Sequence, residues 1–339
     1  MAKVNFSIIV LSYNTKDLLK LCLKSIYNSI QENSGLASGN ELNADMSSSF
    51  RGNPALLVRG GRHKAEKRGI LVETIVVDNA SDDGSPDMVE KEFTWVKLVR
   101  SQFNLGYSGG NNLGIKESQG KYILFLNSDV EISKNTLVDM KIFLDTDRKI
   151  GAVTPKVMLY KGGMDPDCHR GFPSPWASFT YFLGLGSIFP KSKLFGQYHK
   201  FYQDLDTVHE IDAGFGTFMV IRAEVVKSVG VWDEGYFFYG EDLDYFYRIK
   251  KAGWKVMFYP KVLALHHKGA SSGLRVESKD VTQASREIRL TTAKASILAM
   301  ERFYRKFYKN KYNPFVTFLV LLAIKTLGSV RISSHYLRK

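Results

Sequence analysis

Apolar residues in this chain come in short dense runs, separated by polar, glycine-rich turns. Phe6–Leu11 is apolar apart from Ser7 and has the length of a buried strand. Ser12, Tyr13, Asn14 and Thr15 follow as a polar turn with helix-capping residues. Leu18, Leu19, Leu21, Cys22, Ser25 and Ile26 then recur at helical spacing. A second strand is expected at Thr74–Asp78, ahead of the turn-forming run Asn79–Gly84. Val96–Val99 reads as a third short strand. Asn104–Asn112 reads as a glycine- and asparagine-rich loop, with a helix starting near Asn111. Tyr122–Leu126 is another buried strand, and it stops abruptly at Asn127, Ser128 and Asp129, a polar step that core packing does not select. Strands alternating with helices predict an α/β fold with a doubly wound, mostly parallel sheet.

Beyond Gly151–Pro155, a short strand, the pattern becomes mixed. Residues 161–210 are irregular and rich in aromatics, glycine and proline. Asp212–Val220 leads as a strand into a helix at Ala223–Val229. A further helix, Asp242–Ala252, ends at Gly253, where a C-terminal glycine cap is expected. Lys255–Tyr259 and Ala264–Ser272 complete a domain over residues 1–275. Residues 279–312 read as a long basic helix, and Phe315–Ile324 is an apolar run ended by Lys325. An insertion at 33–69, polar in its first half and basic in its second, is expected to be disordered and remote from the carboxyl ends of the strands.

Composition is that of a globular protein, 44% hydrophobic and 24% charged. With only Cys22 and Cys168, no disulfide framework is expected, and the opening apolar run is too short for a signal peptide. Both point to a reducing, cytoplasmic setting. The net charge of +13 calls for an anionic partner. From Lys294 onward Glu301 is the single acid among ten lysines and arginines. With no nucleic-acid-binding motif, an anionic membrane surface is the expected partner. Ten apolar residues do not span a bilayer, which needs ~20. Residues 276–339 are therefore read as a helical appendage lying on the membrane, with packing on the catalytic domain or a homodimer contact as the competing use.

In open α/β sheets, ligands bind beyond the carboxyl ends of the strands. Asp78 ends the second strand there and is placed to accept from a base or ribose. Asp82 and Asp83 read as turn residues. Asp129 is placed to hold a divalent cation against a diphosphate, the competing role being a turn or cap. The glycine loop through Gly109 and Gly110 suits close backbone approach to a phosphate, although its spacing fits neither the dinucleotide fingerprint nor a P-loop. Glu241, Asp242 and Asp244 gather at a helix start. One of the adjacent pair Glu241 and Asp242 could be a positioned base, whereas Asp244 has Arg248 four residues on, an ordinary helix-surface pair. His266 and His267 follow at a strand end, and either could complete a cation's shell with Asp129.

The ordered segments at 7–14 (Ser-Ile-Ile-Val-Leu-Ser-Tyr-Asn), 75–85 (Ile-Val-Val-Asp-Asn-Ala-Ser-Asp-Asp-Gly-Ser), 104–112, 126–129 and 239–244 resemble family 2 glycosyltransferases, in particular the bacterial rhamnosyltransferase-like branch. The likeness covers residues 5–275. It departs from the usual pattern at Asn127, where the metal motif has an acid, and at the 33–69 insertion. It implies a GT-A (Rossmann-like) fold and inverting transfer of a sugar, rhamnose among the candidates, from a dTDP- or UDP-linked donor with Mg²⁺ or Mn²⁺. The acceptor would be a glycan or lipid-linked hydroxyl in surface polysaccharide synthesis, at the inner face of the cell membrane. It further implies that Asp78 contacts the base, Asp129 binds the metal, Asp242 is the catalytic base and His266 assists at metal or diphosphate. Ser12, Tyr13, Asn14, Asn104, Gly109, Gly110, Asn111, Asn127 and Ser128 would line the nucleotide-sugar site. The alternative is a non-catalytic sugar-nucleotide or polysaccharide-binding protein, which would have no need of Asp242 together with Asp129 and His266.

Overall fold

Four strands form at the first apolar runs: β1 (Phe6–Ser12), β2 (Val72–Asp78), β3 (Lys97–Arg100) and β4 (Tyr122–Asn127). Ile8, Ile9, Val10, Ile75, Val76, Val77, Leu124 and Phe125 are fully buried, as strands covered on both faces must be. All three pairings among these strands are parallel, in the order β3-β2-β1-β4. The computed structural model describes residues 4–34, 69–268 and 286–337. The 33–69 insertion lies almost entirely outside the described residues, as does the end of the segment expected at Ala264–Ser272.

Register fixes the working edge. Ser12 is opposite Asp78 and Leu11 opposite Asn127, so three strands deliver their carboxyl ends side by side. Helices α1 (Lys16–Ser34), α2 (Ser85–Glu92), α3 (Gly106–Glu117) and α4 (Thr136–Thr146) complete this half. α3 begins five residues before the expected start at Asn111, because its glycines allow close packing on β1. A Cβ on Gly110 would lie 2.4 Å from Leu11 Cδ1, and one on Gly114 would lie 2.4 Å from Ile9 Cγ2. Tertiary packing overrides the weak helix propensity of glycine.

The second half of the sheet is mixed. β5 (Val130–Ile132), β6 (Ile150–Leu159), β7 (His209–Glu210), β8 (Phe218–Arg222) and β9 (Lys255–His266) continue it through β4-β8-β6-β9-β5, with β7 on β9. β9 is one strand where two pieces are expected from sequence. Its register shifts between Tyr259 and Leu263, and this irregularity accommodates Pro260, which cannot donate to a ladder. β5 pairs with the far end of β9, Val130 opposite His266, which brings that histidine beside Asp129. α5 (Pro175–Phe182) and α6 (Leu185–Ile188) give the 161–210 segment some regular structure, and α7 (Ala223–Val229) and α8 (Glu241–Lys251) follow.

The C-terminal appendage is a helix pair, α9 (Arg286–Phe307) and α10 (Pro314–Leu337), and α10 runs on through Lys325 instead of ending there. Val320, Leu321 and Ile324 pack on Phe303, Tyr304 and Tyr308. The other side of α10 exposes Phe315, Phe318 and Leu322. Among the described residues, no helix is long and apolar enough to cross a membrane. Both cysteines are buried free thiols.

Candidate active site

At the β1 and β4 ends, a buried hydroxyl chain runs from Ser12 through Thr15 to Ser128, with oxygens 3.2 and 2.7 Å apart. Ser12 and Ser128 therefore tie two strand ends together beneath the edge. Tyr13 stands exposed above them. Asn14 adopts a left-handed φ of 52°, held by Ser81 Oγ on its amide and by the Asp82 amide on its side chain. Asp78 accepts from the Ser81 amide through Oδ2 at 3.2 Å, while its Oδ1 is buried with no hydrogen-bond partner. An unmade bond of that kind is costly, and a ligand N–H would satisfy it.

The 104–112 run does not form the open cradle expected from sequence. Gly109, Gly110 and Asn111 lie within α3 and are buried, the Asn111 amide donating to Tyr107 O at 3.0 Å. The glycines serve helix packing. Asn104 caps Gly106 at 2.9 Å and accepts from Asn79, which the sequence marks only as a turn residue. Asn79 also accepts from Leu105 N and donates to Gly106 O, fixing α3 to the end of β2.

Asn127 ends β4 with its side chain toward Thr217. Beside it, Asp129 is almost fully buried, and its Oδ1 lies 3.5 Å from His266 Nε2. The other ring nitrogen of His266 meets Asp165 Oδ2 at 3.0 Å. Burial disfavours the charged imidazole, but Asp129 first and then Asp165 outweigh it, raising His266 to about 9. Asp165 is itself held by Lys268 at 2.5 Å. The neighbouring His267 pairs instead with Glu131 at 2.7 Å and stacks on Tyr160. Of the two histidines, His266 is the one that faces Asp129.

Among the described residues, no group of three His, Cys, Asp or Glu could hold a metal ion. The donors present still fit Mg²⁺ or Mn²⁺, since such ions use one or two protein ligands together with substrate phosphates and water. Asp129 and His266 Nε2 are close enough to share one ion, which would take the place of the Nε2 proton. Asp165 on the second ring nitrogen is the outer carboxylate that metal-binding histidines characteristically have.

The acidic helix start is shaped by backbone. Tyr239 and Gly240 both have left-handed φ, 71° and 80°, and this turn launches α8. An aromatic residue held there stores strain of a kind that clusters at functional sites. Asp242 is partly open, and its Oδ2 meets the buried Arg170 guanidinium at 2.6 Å. Arg170 also donates to Gly214 O, and its backbone bridges to Ala213. Glu241 is buried with Oε2 unbonded. Burial, and then the charge of Asp242, push its carboxyl well above the ordinary range. Asp244 is not the surface residue expected: it is fully buried, between Arg248 at 2.6 Å and Lys306 of α9 at 2.5 Å.

One short segment joins the two ends of this edge. Asp165 holds His266, and five residues later Arg170 holds Asp242, with a 3₁₀ turn at Pro166–Cys168 between them. Neither Asp165 nor Arg170 is marked by the sequence, in which 161–210 shows only an irregular pattern rich in aromatics, glycine and proline. The signal was the charged run Asp165-Pro-Asp-Cys-His-Arg170, hidden among aromatics.

This sheet, with its acidic edge and its helix-borne carboxylates, is the GT-A form of the α/β class. The family model described as glycosyl transferase family 2 matches residues 65–230, and that of glycosyl transferase family group 2 matches 166–335. The chain belongs to the family 2 glycosyltransferases and is a glycosyltransferase. It is 27% identical over 215 residues to the N-acetylglucosaminyl-diphospho-decaprenol L-rhamnosyltransferase of Mycobacterium tuberculosis, a match spanning 60% of this chain and 68% of that protein. It is 25% identical over 172 residues to the rhamnosyltransferase WbbL of Escherichia coli, covering 48% of this chain and 61% of WbbL. In fold it is similar to GalNAc-T7, solved with UDP, GalNAc and Mn²⁺ (TM-score 0.51, 14% identity, 78% of this chain and 44% of that one).

Proposed function

We propose that this protein transfers a sugar with inversion from a dTDP- or UDP-linked donor to a hydroxyl of a lipid-linked glycan, rhamnose being the favoured sugar. The two rhamnosyltransferase relatives support the choice of sugar, and the name of the mycobacterial one supports a lipid-diphosphate acceptor. The observation that carries the reading is Asp242, a partly open carboxylate clamped by a buried arginine at a strained helix start.

The base of the nucleotide is placed at Asp78, whose buried Oδ1 would accept an imide N–H. Asp129 and His266 would hold Mg²⁺ or Mn²⁺, which supplies compensation for the negative charge that grows on the departing diphosphate. The acceptor oxygen attacks the anomeric carbon from the side opposite the diphosphate. The new C–O bond forms as the bond to the diphosphate breaks, and the hydroxyl proton passes to Asp242. Such a base accelerates transfer ~10²–10⁴-fold. Arg170 fixes the carboxylate's direction.

Asp242→Asn is expected to abolish transfer while leaving donor binding within a few-fold of wild type, and Glu241→Gln to retain turnover. The reverse pattern would make Glu241 the base. In the same assay EDTA removes activity and Mn²⁺ or Mg²⁺ restores it; full turnover in EDTA would contradict the placement of a cation at Asp129.

We place the enzyme at the inner face of the membrane through α10. Its exposed Phe315, Phe318 and Leu322 form an apolar side with Lys309, Lys311 and Lys325 nearby in sequence, the composition of an interfacial helix.

A further inference from the structure

A second apolar surface lies far along the chain from α10. Phe179, Phe182, Leu183, Ile188 and Phe189, on and around α5 and α6, are each at least half exposed. Soluble proteins seldom expose so many large apolar groups in one short stretch without a use for them. This strap is well built. Trp176 donates from its indole to Leu194 O at 2.9 Å, and Ser192 Oγ accepts from the amides of Leu194 and Phe195. Within it lies a cavity of about 190 Å³, lined by aromatic residues including Tyr181, Phe195 and Phe201, with Ser187 and His199 as polar members. That volume admits a short stretch of hydrocarbon and not a folded protein segment.

Two features say what covers the strap. Lys191 and Lys193 are exposed between the pocket residues Pro190 and Phe195, so cations stand at the rim of an aromatic slot. One lining residue, Tyr198, is tied through backbone to the segment that holds the proposed base. Gly171 donates to Tyr198 O at 2.6 Å, and a Cβ at Gly171 would lie 2.3 Å from Gln197 O, so the two backbones are in direct contact. The residue before Gly171 is Arg170, the partner of Asp242.

We infer that the strap 175–201 is the docking site for the polyisoprenoid chain of the acceptor, with Lys191 and Lys193 meeting the diphosphate that joins chain to sugar. The slot takes branched hydrocarbon, the rim takes the anion, and the sugar hydroxyl extends toward Asp242. The assignment rests on the lipid-linked acceptor read above.

The test uses the full chain and a polyprenyl diphosphate carrying a diazirine on its hydrocarbon. Photolabelling is expected within 175–201, displaced by unlabelled polyprenyl diphosphate and not by inorganic diphosphate or phosphatidylglycerol vesicles. The paired change Phe179→Ser with Leu183→Ser, both on exposed positions, should cut labelling at least roughly tenfold with UDP binding unchanged. Lys191→Glu with Lys193→Glu should weaken it as well. Labelling elsewhere, labelling indifferent to both pairs, or equal displacement by vesicles would overturn the assignment, the last making the strap a general bilayer contact. Strap labelling in a wild-type enzyme that transfers sugar only to soluble glycans would leave the site standing and remove the acceptor reading.

Discussion

His169 shows how much a single buried ring commits this fold. Its Nε2 lies 2.7 Å from His209 Nε2, and its Nδ1 meets His199 O at 2.8 Å. Burial pulls its pKa from the ordinary 6.5 to about 4. The unfolded chain therefore binds a proton that the folded chain refuses, and stability rises with pH across that window. Between about pH 6.5 and pH 4 the fold should lose up to about 3 kcal/mol from this group alone. His169→Gln is expected to flatten the decline, read as urea midpoints at pH 7 and pH 5; an unchanged slope would assign the acid sensitivity elsewhere. At this scale the sequence was legible wherever a polar residue interrupts an apolar strand. Asp78, Asp129 and Asn127 stand out because packing gives no reason for them. Asp165, His169 and Arg170 do not, since the partners named above lie 30 to 103 residues away and no local pattern marks them.

Among elements, α8 has the most riding on it. Its first turn carries Glu241 and Asp242 toward the edge and buries Asp244 behind them. Spacing alone pairs Asp244 with Arg248, and that bond is present. The second cation, Lys306, comes from α9, which reading one helix at a time cannot reveal. Lys306→Met should destabilise the protein by about 1–3 kcal/mol, because it strips one of two cations from a buried carboxylate. Lys306→Arg should recover part of the loss. Urea unfolding of the three proteins decides, and a shift below about 0.5 kcal/mol for Lys306→Met would reduce the contact to a surface ornament. The strands show the opposite balance. β1, β2 and β4 lie where their apolar runs predict, since a strand buried on both faces writes its whole length in hydrophobic residues. α3 was legible only in part, because its glycines carry no helical signal and its position is dictated by β1.

At the scale of the molecule, two apolar surfaces point outward, α10 and the strap. If α10 meets the bilayer as proposed, the paired change Phe315→Asp with Leu322→Asp should abolish flotation of the full chain with anionic vesicles. Wild-type flotation should weaken in high salt, since each basic residue near such a surface contributes about 1 kcal/mol. Flotation that survives the paired change would assign membrane binding elsewhere. Substitution is the sharper tool here, because removing the helix pair would also withdraw Lys306 from Asp244.

That same ion pair sets an order of events during biosynthesis. Lys306 lies 62 residues downstream of Asp244. As the chain leaves the ribosome, α8 emerges with a carboxylate that must be buried and only Arg248 to meet it. The helix that carries the proposed base can settle fully only after α9 has been made. The nascent catalytic sheet thus passes through a period in which its strands are all present and its working helix is still unsecured.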